Sequence, residues 1–104
     1  MSDLGKLIEA VEAGAFLMDA LPDGRTERLA YESFGGSLDA AMQLHEALLP
    51  GHTRAVDATA PEMGIRVELW SPEGPIVGTG DNASEARAWL LAILKALRAK
   101  EAVE

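Results

Sequence analysis

The chain has 104 residues, of which 48% are hydrophobic and 25% charged, and this composition is typical of one globular domain rather than of a disordered segment. Its formal net charge of -8 disfavours direct binding to DNA or RNA, because nucleic-acid affinity depends on Lys and Arg neutralising phosphates. With no cysteine, no signal peptide and no long apolar run, we expect a cytoplasmic protein without disulfides, thiolate metal sites or membrane contact.

The first third of the chain predicts one helix and leaves a second segment open. Residues 3 to 13 have apolar side chains at the three- and four-residue spacing of an amphipathic helix, namely Leu4, Leu7, Ile8 and Val11. Gly14 interrupts this pattern, and the apolar cluster at residues 15–21 is compatible either with a continued helix or with a turn back onto the core. Residues 29–31 predict a short extended segment.

The next predicted helix runs from Leu38 to Leu49. Ser37 precedes it as an N-cap, and Pro50 and Gly51 end it. Apart from one polar stripe, its residues are Leu, Ala, Met and His45, so we expect this helix to be buried over most of its circumference.

After residue 51 the period of the apolar residues changes from that of a helix to that of a strand. Ile65, Val67 and Leu69 alternate with Arg66, Glu68 and Trp70, which predicts a strand with one solvent-facing side. A turn at residues 71–74 leads to a returning strand at 75–79, and residues 54–58 predict a third strand. The pattern therefore predicts a small antiparallel three-stranded sheet over about residues 53–79.

The strongest helical pattern lies near the end of the chain, over residues 82–98. Asn82 and Glu85 have the spacing of a capping box. One broad apolar face follows, formed by Ala86, Trp89, Leu90, Ile93, Leu94 and Leu97. We expect this face to cover the sheet, which gives a single α+β domain over residues 1–104 with a frayed tail at 100–104. Arg66 and Glu68 on the second sheet face favour two layers.

The sequence contains two candidate binding sites, one for a metal ion and one for a phosphate, and neither has the residue pattern that such a site requires. His45 and His52 lack the i, i+4 spacing of helical zinc ligands, so we expect His45 to be a core or boundary residue. The glycine-containing turn at 78–84 leads into a helix N-terminus, but no Lys follows the glycines and Asp81 would repel a phosphate. The sequence therefore predicts no catalytic residue, no metal ligand and no cofactor.

The last helix also carries a seam of small side chains beside its apolar face. Ala88, Ala92, Ala96 and Ala99 form this seam, and Leu91 stands apart from both faces. One interpretation is a surface for a homodimer or another protein, and the other is that alanine simply favours helix. Trp70 at a strand end is either an interface anchor or a lid over the sheet edge. The candidate interface residues are Trp70, Ala88, Leu91, Ala92 and Ala99.

Residues 37–51, Val67 to Trp70 and the Ala/Leu-rich helix over 83–99 resemble the phage ABA sandwich domain family of small phage and prophage proteins. The resemblance covers about two-thirds of the chain and carries no catalytic residue. Residues 14–19 depart from a Gly-Pro-x-Arg-Glu-Leu-Asp stretch found in many relatives. The resemblance implies a three-layer α/β/α sandwich and a phage or prophage origin.

Three functional hypotheses follow from the sequence and the resemblance. The first is a non-catalytic phage accessory protein of the host cytoplasm that acts by protein–protein contact. The second is an acidic inhibitor of a host defence complex, similar to an anti-CRISPR protein, which would occupy a basic nucleic-acid groove. The third is a small-ligand or metal-binding protein that uses His45 or the turn at 78–84.

Overall fold

The structure is a computed structural model and describes residues 3–18, 20–21, 23–58 and 64–103 of the chain, with side chains up to Lys100. Four helices and three strands make an α+β fold, as predicted. Their bounds are α1 Asp3–Glu12, α2 Gly24–Phe34, α3 Leu38–Leu48, β1 Thr53–Asp57, β2 Ile65–Trp70, β3 Ile76–Asn82 and α4 Glu85–Val103.

The three strands form one antiparallel sheet in the order β1-β2-β3, with β2 at the centre. Val56 lies opposite Val67, and Val67 lies opposite Gly80, so the alternation of β2 sets which residues share a face. Val67 and Leu69 are fully buried, whereas Arg66 and Trp70 are exposed. The predicted strand with one solvent-facing side is therefore confirmed.

Helix α4 lies between the sheet and the other helices. It packs against β2 and β3 on one side and against α1, α2 and α3 on the other. This position explains why α4 is buried around nearly its whole circumference over residues 88–94, each of which is at most 6% exposed. The expected packing of the last helix on the sheet is confirmed. The α/β/α sandwich is not confirmed, because no described helix packs against the second face of the sheet.

The helix α2 corrects the prediction of an extended segment at residues 29–31. Leu29 and Ala30 are buried in its middle, and the two other buried positions are the polar residues Thr26 and Ser33. The Ser33 hydroxyl donates to the carbonyl of Leu29 at 2.8 Å, which satisfies it within the helix. The apolar period was not visible in the sequence because two of its four positions are occupied by hydroxyl side chains.

The start of α2 is fixed by a local side-chain contact. The Thr26 hydroxyl donates to a carboxylate oxygen of Asp23 at 2.9 Å. This hydrogen bond, together with one from the Arg25 backbone, lowers the pKa of Asp23 below its ordinary value because both favour the ionised carboxylate.

Helix α3 is capped as predicted but is less buried than predicted. The Ser37 hydroxyl accepts the backbone N–H of Ala40 at 3.1 Å, which confirms the N-cap. Leu38 and Met42, however, are each 45% exposed, because only one side of α3 packs against α2 and α4. The buried side consists of Ala40, Ala41, Leu44 and His45.

The start of α4 differs from the predicted capping box. Asn82 is the last residue of β3, and its side chain accepts the backbone N–H of Ser84 at 3.0 Å. Ser84 is the residue whose carbonyl accepts the first helical bond, from Ala88, and its hydroxyl accepts the N–H of Arg87. Glu85 does not reach back to Asn82, since its carboxylate pairs with Arg54 at 3.1 Å.

Helix α4 continues to Val103, into the segment from Lys100 onward that we predicted to be a tail, and Glu104 lies outside the described residues. The segment after α1 does not extend the helix, and three of its apolar residues pack against the core, namely Phe16, Ala20 and Leu21, whereas Leu17 and Met18 are exposed. The ring of Phe16 also lies edge-on to Tyr31, with 5.3 Å between the ring centroids. None of the helices in the described ranges combines the length and apolar character needed to cross a membrane.

Candidate functional site

The two histidines lie close together, but they belong to a structural network. His45 is 7% exposed on α3, and its Nδ1 accepts a hydrogen bond from the indole Nε1–H of Trp89 on α4 at 3.1 Å. Nδ1 is therefore the acceptor, which assigns the ring proton to Nε2. Nε2 donates to the backbone carbonyl of His52 at 3.0 Å. Both ring nitrogens of His45 are occupied.

This network joins α3, α4 and the loop that contains His52. It also leaves His45 without a free ring nitrogen that could bind a metal. The indole of Trp89 also contacts β1, because the guanidinium of Arg54 lies 4.0 Å from its ring centroid. Among the residues that the structure describes, no group of three or more His, Asp or Glu side chains is placed to hold a metal ion. The geometry supports the interpretation of His45 as a core residue.

The glycines of the turn at 78–84 lie within strand β3, where they allow α4 to approach. A Cβ at Gly78 would overlap the carbonyl oxygen of Ala92, and a Cβ at Gly80 would overlap that of Ala88. No side chain can stand between strand and helix at these two positions. The glycines therefore serve packing, and the small residues of α4 are the complementary surface.

The predicted interface residues divide into two groups. Ala88 and Ala92 are fully buried against the sheet and Leu91 is 1% exposed, so the prediction that Leu91 stands apart from the buried surface is wrong. Ala99 is exposed, and Trp70 is 38% exposed. The seam that we considered for self-association faces the glycines of β3 instead, and Trp70 is the predicted anchor that remains accessible.

A cleft of about 370 Å³ at one end of the sheet is lined by a serine and a histidine. Its walls include Ser71, His52 and Glu73, over a floor that contains Leu49, Val77 and Ala96. The Ser71 hydroxyl oxygen has no hydrogen-bond partner among the described residues, but it is itself shielded from solvent. No hydrogen bond joins it to His52, whose Nδ1 lies 3.3 Å from the backbone carbonyl oxygen of Pro50, so the two side chains are not arranged as a nucleophile and its base.

The side of the sheet that faces away from α4 has no described helix packed against it. We call it the outer face. The strand registers place on it, side by side, Thr53, Ala55 and Asp57 of β1, Arg66, Glu68 and Trp70 of β2, and Thr79 and Asp81 of β3. All of these residues are exposed or half-buried.

The outer face has an excess of negative charge. It carries the carboxylates of Asp57, Glu68 and Asp81 and the guanidinium of Arg66. Arg66 Nε donates to Asp81 at 2.8 Å, and this hydrogen bond with the nearby carboxylates raises the pKa of Arg66 by favouring its charged form. Arg66 thus pairs with Asp81, and three carboxylates face a single guanidinium on this side of the sheet.

An apolar pair stands at one end of this acidic face. Trp70 lies opposite Ile76 after a shift in register at the end of β2, and these side chains are 38% and 44% exposed. An exposed tryptophan beside an exposed isoleucine presents a contact area that a partner protein can bury. We missed Ile76 in the sequence because the register shift, which depends on pairing between strands, decides its position.

A comparison with protein families, with curated proteins and with solved structures found no match to this chain. The fold and the outer face therefore rest on the geometry described above.

Proposed function

We propose that this chain is a non-catalytic binding protein that contacts a partner protein through the outer face, with Trp70 as the anchor. The observation that supports it is the exposure of Trp70 on a sheet face that no described helix covers. Large aromatic side chains contribute most strongly to interfaces when they become fully desolvated there. The resemblance of residues 37–51 and 83–99 to phage proteins is the basis for proposing a phage or prophage accessory protein of the host cytoplasm.

Replacing Trp70 by arginine tests this proposal. We expect Trp70→Arg to reduce retention of the partner by at least about tenfold, because anchor residues contribute on the order of 2 kcal/mol or more. The measurement is quantitative mass spectrometry of proteins retained from lysate of the native host by the immobilised chain.

The matched control is Met42→Arg, which adds the same charge at an apolar residue that is 45% exposed on α3. Circular dichroism should show both variants folded. Equal retention by wild type and Trp70→Arg would contradict a role for the outer face, and equal loss in both variants would indicate an effect of charge alone.

A narrower version of the proposal gives the partner a basic surface. The excess of carboxylates on the outer face, within a chain of net charge -8, favours a cationic partner. The second candidate function is therefore inhibition of a host defence complex by occupying its nucleic-acid groove, and a nucleic-acid competition assay at several salt concentrations addresses it.

In that assay we expect Glu68→Lys to raise the half-inhibitory concentration about tenfold and to weaken the salt dependence, because it reverses a charge at the centre of the outer face. Glu46→Lys, on the exposed side of α3, changes the net charge by the same amount and should have little effect. Identical behaviour of the two variants would mean that net charge acts without the outer face.

A further inference from the structure

An open groove runs along the edge of the sheet that β3 forms, between the start of β3 and the later turns of α4. We call it the β3 groove. It has a volume of about 580 Å³ and is lined by Ile76, Val77, Gly78, Thr79, Lys95, Arg98 and Ala99. One wall is the backbone of a strand, and the other is the flank of a helix.

The strand wall offers unused hydrogen-bonding groups. Strand β3 pairs with β2 on one side, and no described strand pairs with its other side. In an antiparallel sheet, alternate residues of an edge strand direct their N–H and C=O groups away from the sheet. An extended peptide can bind such an edge by adding a strand, with the main chain supplying hydrogen bonds and adjacent side chains supplying selectivity.

The helix wall is basic, although the chain as a whole is acidic. Arg98 is exposed and has no ion-pair partner among the described residues, and Lys95 pairs with Glu12 at the end of α1 at 3.0 Å. In a chain with nine basic and seventeen acidic residues, two cations side by side in one groove favour an anionic group there. The guanidinium of Arg98 has the geometry to bind a carboxylate with two hydrogen bonds.

We infer that the β3 groove binds an extended peptide segment that carries a carboxylate. The peptide adds a fourth strand to β3, and its carboxylate pairs with Arg98 and competes with Glu12 for Lys95. This site is distinct from the acidic outer face in the charge that it selects, and it does not require the proposed function of that face.

The test uses fluorescein-labelled heptapeptides that alternate valine and threonine and carry one aspartate at each position in turn. We expect at least one of them to bind, measured by fluorescence anisotropy, with amide NMR shifts concentrated at residues 76–79. The same peptide with asparagine in place of aspartate should bind about fivefold more weakly. A peptide in which every amide is N-methylated should not bind, because neither of its edges can then donate a backbone hydrogen bond to the strand.

Three variants of the protein isolate the charges. Arg98→Gln should weaken binding about fivefold, whereas Arg28→Gln removes the same charge from an exposed position on α2 and should leave affinity unchanged. Glu12→Gln should strengthen binding, because it removes the carboxylate that holds Lys95.

The proposal is overturned if no peptide binds at a concentration of about 1 mM, or if the amide shifts lie away from β3. Equal weakening by Arg98→Gln and Arg28→Gln would also overturn it. If sedimentation shows a dimer that Arg98→Gln dissociates, the occupant is a second copy of the chain and the peptide proposal is wrong.

Discussion

Replacing Gly80 by alanine should destabilise the protein by about 3 kcal/mol, at the upper end of the usual cost of overpacking. The added Cβ would overlap the carbonyl oxygen of Ala88, which is backbone of a helix held on both sides and cannot rotate away. For a domain of this size, the melting temperature should fall by roughly 15 °C. Thermal and urea denaturation followed by circular dichroism measure the effect.

The matched control is Gly5→Ala in α1, where an added Cβ meets no atom within 4 Å. This substitution should stabilise the protein by about 0.5 to 1 kcal/mol, since alanine is the better helix former. If Gly80→Ala were as stable as the wild type, α4 would not lie as close to β3 as the structure places it.

Replacing Trp89 by phenylalanine should have an effect of similar size, about 3 kcal/mol. The substitution removes the indole N–H and leaves Nδ1 of the buried His45 without its donor, which costs about 1 to 3 kcal/mol. It also leaves a cavity and weakens the contact with the Arg54 guanidinium. Urea denaturation with linear extrapolation gives the free energy of unfolding.

A double-mutant cycle separates the hydrogen bond from the lost volume. His45→Leu alone leaves the indole N–H unpaired, whereas the double variant removes donor and acceptor together. The double variant should therefore be more stable than the sum of the single effects by about 1 to 2 kcal/mol. Additive effects would show that Trp89 and His45 are not coupled.

Local patterns in the sequence were sufficient for α1, α3 and β2. They located the other two strands only approximately, because β1 covers Thr53–Asp57 rather than 54–58 and β3 extends to Asn82 rather than ending at 79. Helices α1 and α3 and strand β2 have their apolar residues at a regular period, and α3 has clear boundary residues in Ser37 before it and Gly51 after it. Strand β1 is exposed throughout, and the buried positions of β3 are glycines. The helix α2 lacks such a period, because Thr26 and Ser33 occupy two of its four buried positions. Their burial is favourable only because local hydrogen bonds satisfy the hydroxyls, which a hydrophobicity pattern does not reveal.

The role of the small residues on α4 required knowledge of what lies opposite them. Ala88 and Ala92 are equally suited to a partner helix or to a strand of the same chain, and the choice depends on Gly78 and Gly80 coming to lie against them. Considered alone, the two glycines had the pattern of an anion-binding turn, although the missing Lys and the presence of Asp81 argued against phosphate. The reason for the glycines of β3 and for the alanines of α4 becomes visible only in the folded chain, where they pack against each other.

The candidate sites also differ in whether local sequence patterns or tertiary packing determine them. The exposure of Trp70 follows from the alternation of β2, so the sequence could indicate it as an anchor or as a lid. The β3 groove could not be predicted, because Lys95 and Arg98 come close to the edge of β3 only through the packing of α4. The hydrogen bond from Trp89 to His45 could not be predicted either, because it joins residues that are 44 positions apart in the chain.

The central position of α4 has a consequence for how the molecule is made. The sheet has few contacts with α1, α2 and α3 except through α4, and α4 is the last of these elements to leave the ribosome. Helices α2 and α3 can pack on each other and the strands can pair before α4 is made, but the sheet has no helix to cover its apolar face until then. We therefore expect that face to stay exposed until α4 emerges, so a premature stop codon before that helix should produce a polypeptide that proteases remove.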